Sequence, residues 1–296
     1  MGTADLMPGI SGGTIALVLG VYQELIQSID AINLQNLKSF KKQGLKSFWK
    51  NINGPFLFLL FSGILTAIFG LAFVIDWLIS HHPIPLWSFF LGLLLASIVM
   101  LKNRLSYWHT SHLILLLAGA LFSFTLSQIT PGEGQIGLVY LFFCGMIGIV
   151  AMILPGISGA YILLILGAYS TLIGLIKSLI TSFKNPEWDV LLPVLSKLLV
   201  FVLGALIGLR VFASILKWLF EKQHDKTMSV LMGLMFGALY KIWPWQEKRT
   251  LVFEHKTKIL SHPISPFDYP ENPQILLAVV LFLSGIILVW ILERIK

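Results

Sequence analysis

Long apolar runs alternate with short polar ones along the chain. Uninterrupted runs predict membrane spans at 55–79, 86–101 and 113–129, and again at 191–219, 230–243 and 275–292. Most approach or exceed the ~20 apolar residues a helix needs to cross a bilayer. Two further runs, 4–26 and 136–176, are broken internally by Pro and Gly. As one helix, 136–176 would be about 60 Å long, roughly twice the hydrocarbon thickness. A hairpin that turns at Pro155-Gly156 fits the run better, and a re-entrant turn is tolerated where it lines a polar cavity.

The two broken runs are related. Ala4 to Ile26 reads ADLMPGISGGTIALVLGVYQELI, and Ala151 to Ile173 reads AMILPGISGAYILLILGAYSTLI. Most paired positions are identical, without a gap. Later in each half, Gly63, Trp77 and Gly92 correspond to Gly204, Trp218 and Gly233 at one constant spacing. Such an echo marks a duplicated unit. The predicted fold class is therefore all-α: a polytopic membrane protein with inverted-topology repeats. Each repeat is a broken, re-entrant-like hairpin followed by three transmembrane helices. The repeats are 1–135 and 136–296, joined in one integrated membrane domain. The first starts close to its break, so its leading arm is expected to be largely absent.

Polar segments orient this arrangement. A hairpin adds no net crossing and three spans add an odd number, so the second copy enters from the opposite side. Lys38, Lys41, Lys42, Lys46 and Lys50 interleave with Leu34, Leu37, Phe40, Leu45, Phe48 and Trp49, the pattern of a basic amphipathic segment at a membrane surface. With this segment inside, Lys102 and Arg104, the 217–226 loop and the C-terminal Arg294 and Lys296 are also inside. The 81–85 and 130–134 turns, without Lys or Arg, are outside. The 247–273 loop, with Lys248, Arg249, Lys256 and Lys258, is the discordant segment. Asn185-Pro186-Glu187 and Asp189 form the loop that leads into the 191–219 run.

Composition agrees with a membrane reading. The apolar fraction is 56% and the charged fraction 12%, about half that of a soluble domain. The net charge of +7 sits in loops, which suits anionic lipid head groups rather than nucleic acid. One cysteine, Cys144, excludes an intrachain disulfide and a cysteine-based metal site. The histidines show no metal-ligand spacing, and no metal or cofactor is expected.

The chemistry is concentrated at the breaks. Pro8 and Pro155 stop a helix, because proline lacks an N–H. Gly9, Gly12, Gly156 and Gly159 permit tight backbone, and Ser11 and Ser158 can cap the outgoing helix. The start of that helix presents unpaired N–H groups and a positive dipole end, an anion site. Two such tips, entering from opposite sides, would meet near the midplane. A small anion or an anionic head group fits, a phosphate best. The competing reading is Gly/Ser helix packing. Candidate phosphate ligands are Gly9, Ser11, Gly12, Gly13, Gly156, Ser158 and Gly159, with Arg210 and Lys241. Arg210 lies well inside a span, where the first half has Phe69; it either pairs with phosphate or snorkels to the interface. Lys241 is a head-group contact or an aromatic-belt anchor. Asp5 and Glu24 are candidates for protonation or ion coupling, against capping and an interfacial position respectively. Asp76 and Lys217 read as structural. Tyr22 and Tyr169, matched between the copies, read as hydrogen-bonding core residues.

MGTADLMPGISGGTIALVLGVY, the later LPGISGAYILLILGAY, and Trp243-Pro244-Trp245 after Lys241 resemble the PopT-type family, also called domain of unknown function 368. The resemblance covers essentially the whole chain. It implies a non-enzymatic transporter of the bacterial cytoplasmic membrane. Its cargo would be undecaprenyl phosphate, the polyprenyl phosphate carrier of peptidoglycan and other envelope polymers, returned from the outer to the inner leaflet. Membrane lipids, and protons or another coupling ion, would be its other partners. The residues alone leave open an anion channel or ion/proton exchanger built on the same tips. A phosphatase is the weaker alternative, since no Arg/His/Ser cluster suits a phospho-enzyme.

Overall fold

A computed structural model describes residues 1–5, 11–103, 105, 107–129, 137–184, 188–253 and 256–294. The expectations for Pro8, Gly9, Arg104, 130–134, 185–187 and Lys296 fall outside these residues. The first half runs α1 (Gly2–Asp5), α2 (Gly12–Leu19), α3 (Tyr22–Asp30), α4 (Leu34–Asn51), α5 (Gly54–His81), α6 (Pro83–Lys102) and α7 (Thr110–Gln128). The second runs α8 (Leu138–Ile153), α9 (Gly159–Ile165), α10 (Ala168–Lys184), α11 (Trp188–Lys222), α12 (His224–Ala238) and α13 (Ile275–Arg294). Five of these helices are long and apolar enough to cross a bilayer, or six if the bent pair α9–α10 is one span. The protein is an all-α, multi-pass membrane protein.

Two features of the elements differ from the sequence reading. Each hairpin's outgoing arm was expected as one helix, but both break a second time. Gly20 and Gly167, equivalent positions in the two copies, adopt left-handed φ of 74° and 71°. The bend between α9 and α10 is 105°. A non-glycine residue would meet its own Cβ penalty there. The run stays apolar across both glycines, so hydrophobicity alone does not show the bend. The 247–273 loop also contains structure: β1 (Gln246–Phe253) pairs antiparallel with β2 (Lys256–Pro263).

Glycines set how closely the spans approach. The most extensive helix pairs are α6 with α13, α7 with α12, and α8 with α11. A Cβ at Gly92 of α6 would lie 2.0 Å from the Phe282 carbonyl oxygen of α13, and one at Gly285 2.2 Å from that of Phe89. The second pair repeats this. A Cβ at Gly233 of α12 would lie 2.1 Å from the Leu116 carbonyl oxygen of α7, and one at Gly119 2.6 Å from that of Val230. Such backbone-to-backbone contact is how helices associate where lipid removes the hydrophobic drive. Gly92 and Gly233 are the equivalent residues noted in the sequence. The second helix after each hairpin region, α6 or α12, thus packs on a late helix of the other half, although the 15-residue α12 is not among the five helices long enough to cross a bilayer.

The core lies where these crossings meet the hairpins. Tyr22, Leu101, Leu231, Met232, Met235 and Ile242 are almost wholly buried. The outer face of α5 is the reverse: Phe58, Leu65, Phe69, Phe73 and Trp77 are exposed, Phe73 to 84%. A contiguous apolar surface of this kind is what lipid chains would cover. The elements expected on one side of the membrane are neighbours. Ile84 packs with Trp245 and Ala278, whereas Leu101 and Glu293 share a small cavity with Val18.

Leucine at Gly233 must push two backbones apart. Gly233→Leu is expected to cost about 1–3 kcal/mol or more, seen as a lower melting temperature in detergent. Gly63, the equivalent of Gly204, meets nothing within 4 Å, so Gly63→Ala should leave it nearly unchanged. Topology is checked in a Cys144→Ser background. A membrane-impermeant thiol reagent should label His82→Cys in intact cells and Lys102→Cys only after permeabilisation.

Candidate functional site

The two broken motifs touch one another. Ser11 caps α2: its Oγ accepts a hydrogen bond from the Gly13 N–H at 3.1 Å and donates to the Met152 carbonyl at 2.7 Å. The Gly156 N–H of the second motif donates to Thr14 Oγ1 of the first at 3.0 Å. Tyr22 donates to the Ile153 carbonyl at 3.2 Å. The Gly13 backbone lies so close that a Cβ there would sit 2.0 Å from the Ile153 carbonyl oxygen. The second break leaves backbone groups without helical partners, and Ser11, Thr14 and Tyr22 of the first hairpin supply them. Backbone groups buried in apolar surroundings need this.

The two tips are unequal. At the first, Asp5 takes the place of an anion: its Oδ1 accepts from the Gly12 N–H at 2.7 Å, at the start of α2. The positive end of that helix is therefore met by a carboxylate of the same hairpin. The second tip is built differently. Ser158 accepts from the Tyr161 N–H at 3.4 Å as the cap of α9. Tyr161 is the repeat equivalent of Thr14. Its hydroxyl reaches the carbonyls of Ser127 at 2.9 Å and Ile129 at 3.0 Å, which ties the hairpin to the end of α7. Lys241 sits with its Nζ 3.7 Å from the centre of the Tyr161 ring, a cation–π contact.

Between these groups lies a small, partly open cavity of about 30 Å³. Ser123, Ser127, Gly156, Ser158, Tyr161 and Lys241 line it together with apolar residues. Ser123 donates to the Gly156 carbonyl at 3.3 Å. Among the described residues no carboxylate lies within ion-pair distance of Lys241. A half-buried cation without a counter-ion, beside hydroxyls and a glycine-rich turn, is a setting for a small oxyanion.

Of the residues singled out in the sequence, the structure brings together Gly156, Ser158 and Lys241, with Ser11 and Gly13 behind them in the contact between tips. Gly159 packs against Met152. Arg210 is elsewhere. Its guanidinium binds Asp30 at 2.5 Å and also Ser214, and Lys217 joins the same carboxylate at 3.1 Å. Burial alone would raise the Asp30 pKa, but hydrogen bonds from Ser214, Lys217 and Arg210 hold it below the ordinary value of 3.8. Lys217, read as structural from the sequence, thus shares a carboxylate with Arg210. Glu24 accepts a hydrogen bond from Asn53 at 2.7 Å, next to the start of α5, and touches neither tip. Ser123, Ser127, Tyr161, Thr14 and Asp30 were missed. Only the Thr14/Tyr161 pair had a signal, as a position where the otherwise similar copies diverge.

Two helix breaks in contact, beside a cavity lined by Lys241 and hydroxyls, thus lie within the helical bundle of a multi-pass membrane protein. The chain belongs to the undecaprenyl phosphate translocase-like family, which it matches over residues 1–260. It is 41% identical over 301 residues to a polyprenyl-phosphate transporter of Vibrio cholerae, covering 99% of this chain and 93% of that protein. It is also 30% identical over 257 residues to a polyprenyl-phosphate transporter of Staphylococcus aureus, covering 82% and 83% respectively. No solved structure matches it.

The contact between tips is testable without substrate. Thr14→Val keeps the side-chain shape but strands the buried Gly156 N–H, at a cost of about 1–3 kcal/mol. A drop in melting temperature of the purified protein should report it. The effect should exceed that of Thr66→Val on exposed α5, whose hydroxyl bonds only within its own helix.

Proposed function

We propose that the protein carries undecaprenyl phosphate across the bacterial cytoplasmic membrane, from the outer to the inner leaflet. The phosphate would enter the cavity between Lys241 and the second tip. The observation that carries this reading is the unpaired Lys241 beside Gly156, Ser158 and the Tyr161 hydroxyl system. A phosphate monoester there gains a charge-assisted hydrogen bond from Nζ. Ser123, Ser127 and Ser158 can reorient their hydroxyls toward it. The prenyl tail is too apolar to follow the phosphate into the cavity. It stays in the surrounding lipid through the cavity's open side.

The side of the membrane follows from parity and loop charge. Parity and the charges of the other loops favour the external side for the end of α12, and Lys241 with it, against the basic 247–273 loop. An outward-facing cation there suits collection of lipid phosphate from the outer leaflet. The repeats, read as inverted, would then move against one another to expose the site inward. Because Ser11, Thr14 and Tyr22 bond the second hairpin directly, the two tips would move in concert. Asp5, on the Gly12 N–H, is the group through which a proton would act on the first tip. The relatives' names as transporters support a non-enzymatic role.

The test is a leaflet assay with purified protein in vesicles loaded asymmetrically with polyprenyl phosphate. Wild-type protein should equilibrate the lipid. Lys241→Gln should slow it by about ten-fold or more, the loss of one charge-assisted contact. Lys241→Arg should retain a larger share. Flux of soluble anions without lipid movement would instead establish a channel. Phosphate release from the lipid would establish an enzyme.

A further inference from the structure

The polar cluster at the other end of α12 is not used by the site above. Lys217 precedes α12 and Lys241 follows it, so the length of this 15-residue helix, about 22 Å, lies between the two cations. In the cluster, Asp30 Oδ1 accepts from Arg210 at 2.5 Å and from Ser214 at 2.6 Å, while Oδ2 accepts from Lys217 at 3.1 Å. Three donors from successive turns of α11 therefore converge on a single carboxylate. The carboxylate comes from α3, in the opposite hairpin.

The charges of this cluster do not balance. Two cations face one anion, and both cations keep more than a third of their side-chain surface exposed. Lys217 also faces an open groove of about 130 Å³ that Gln23, Gln27 and Phe220 line. Glu221 also lines this groove but makes no ion pair with Lys217. A carboxylate presents two oxygens and one charge to these three donors. A phosphate monoester presents three terminal oxygens and up to two charges. It would match both the number of donors and the charge of Arg210 and Lys217, with a fork-shaped guanidinium among them.

We propose that Arg210, Ser214 and Lys217 form a second binding site for a phosphate monoester, in which the phosphate displaces the Asp30 carboxylate. It rests on the transport reading for its role: the station from which the lipid head group leaves on the inner side. Asp30 ends α3, so its displacement also releases a link between the first hairpin and α11. Arrival of the phosphate thereby frees the hairpin that must move. The ligand chemistry is a monophosphate, borne by a lipid or free in the cytoplasm.

The experiment measures binding of a water-soluble short-chain prenyl monophosphate to purified protein in detergent, with inorganic phosphate in parallel and the prenyl alcohol as control. Lys241→Gln removes the first site and is expected to leave one saturable binding event. Adding Arg210→Gln and Lys217→Gln should abolish it. Asp30→Asn in the Lys241→Gln background removes the competing charge while keeping the side-chain shape, and should tighten binding about ten-fold. Equal binding of inorganic phosphate would identify free phosphate as a ligand of the site, and binding of the ester alone would identify the head group. Melting temperatures confirm that each variant is folded. The proposal is overturned if Lys241→Gln alone abolishes all binding, or if Asp30→Asn leaves the residual affinity unchanged. Lipid transport by the wild type alongside either result would sink this site and leave the transport reading standing. Two-site binding without lipid movement would do the reverse.

Discussion

A helix broken in apolar surroundings must find partners for the backbone groups it frees, and here the second break finds them in side chains of the first hairpin. Ser11 reaches the Met152 carbonyl, Tyr22 reaches the Ile153 carbonyl, and Thr14 receives the Gly156 N–H. Lipid offers no hydrogen bond, so backbone groups freed in apolar surroundings must be satisfied within the protein. The close crossings of α6 with α13 and α7 with α12 serve the same end. They bring the two halves near enough for the tips to meet, with glycine where any side chain would strike a carbonyl.

The two tips share a sequence motif, and small differences between them go with different contacts. Asp5 meets the start of α2 with a carboxylate, where the second copy has the apolar Met152. Thr14 spends its hydroxyl on the opposite backbone. Its counterpart Tyr161 ties down α7 and carries Lys241 on its ring. The start of α2 is thereby met by a carboxylate, whereas Lys241 at the second tip has no carboxylate partner among the described residues.

Legibility in the sequence followed the physics of each feature. Spans were readable because lipid demands some twenty apolar residues in a row. The run predicted at 55–79 became α5, Gly54–His81, and that at 275–292 became α13, Ile275–Arg294. The second bends at Gly20 and Gly167 were not readable. A bend inside an apolar run leaves hydropathy unchanged, and only the left-handed φ reveals it. The hairpin of β1 and β2 was hidden in a segment whose polarity suggested only a loop.

The sequence by itself determined that this is a duplicated, multi-pass helical membrane protein with a proline-glycine break in each half. Apolar length, an internal echo and loop charge are all local or periodic signals. The tertiary structure decided which residues share a site. Arg210 and Asp30 are 180 positions apart, and Ser11 and Met152 are 141 apart. No periodicity connects such pairs; only the packing of one hairpin against the other half does. The same packing brought Lys241 to the second tip and took Arg210 away from it, separating two cations that the sequence had assigned to one phosphate.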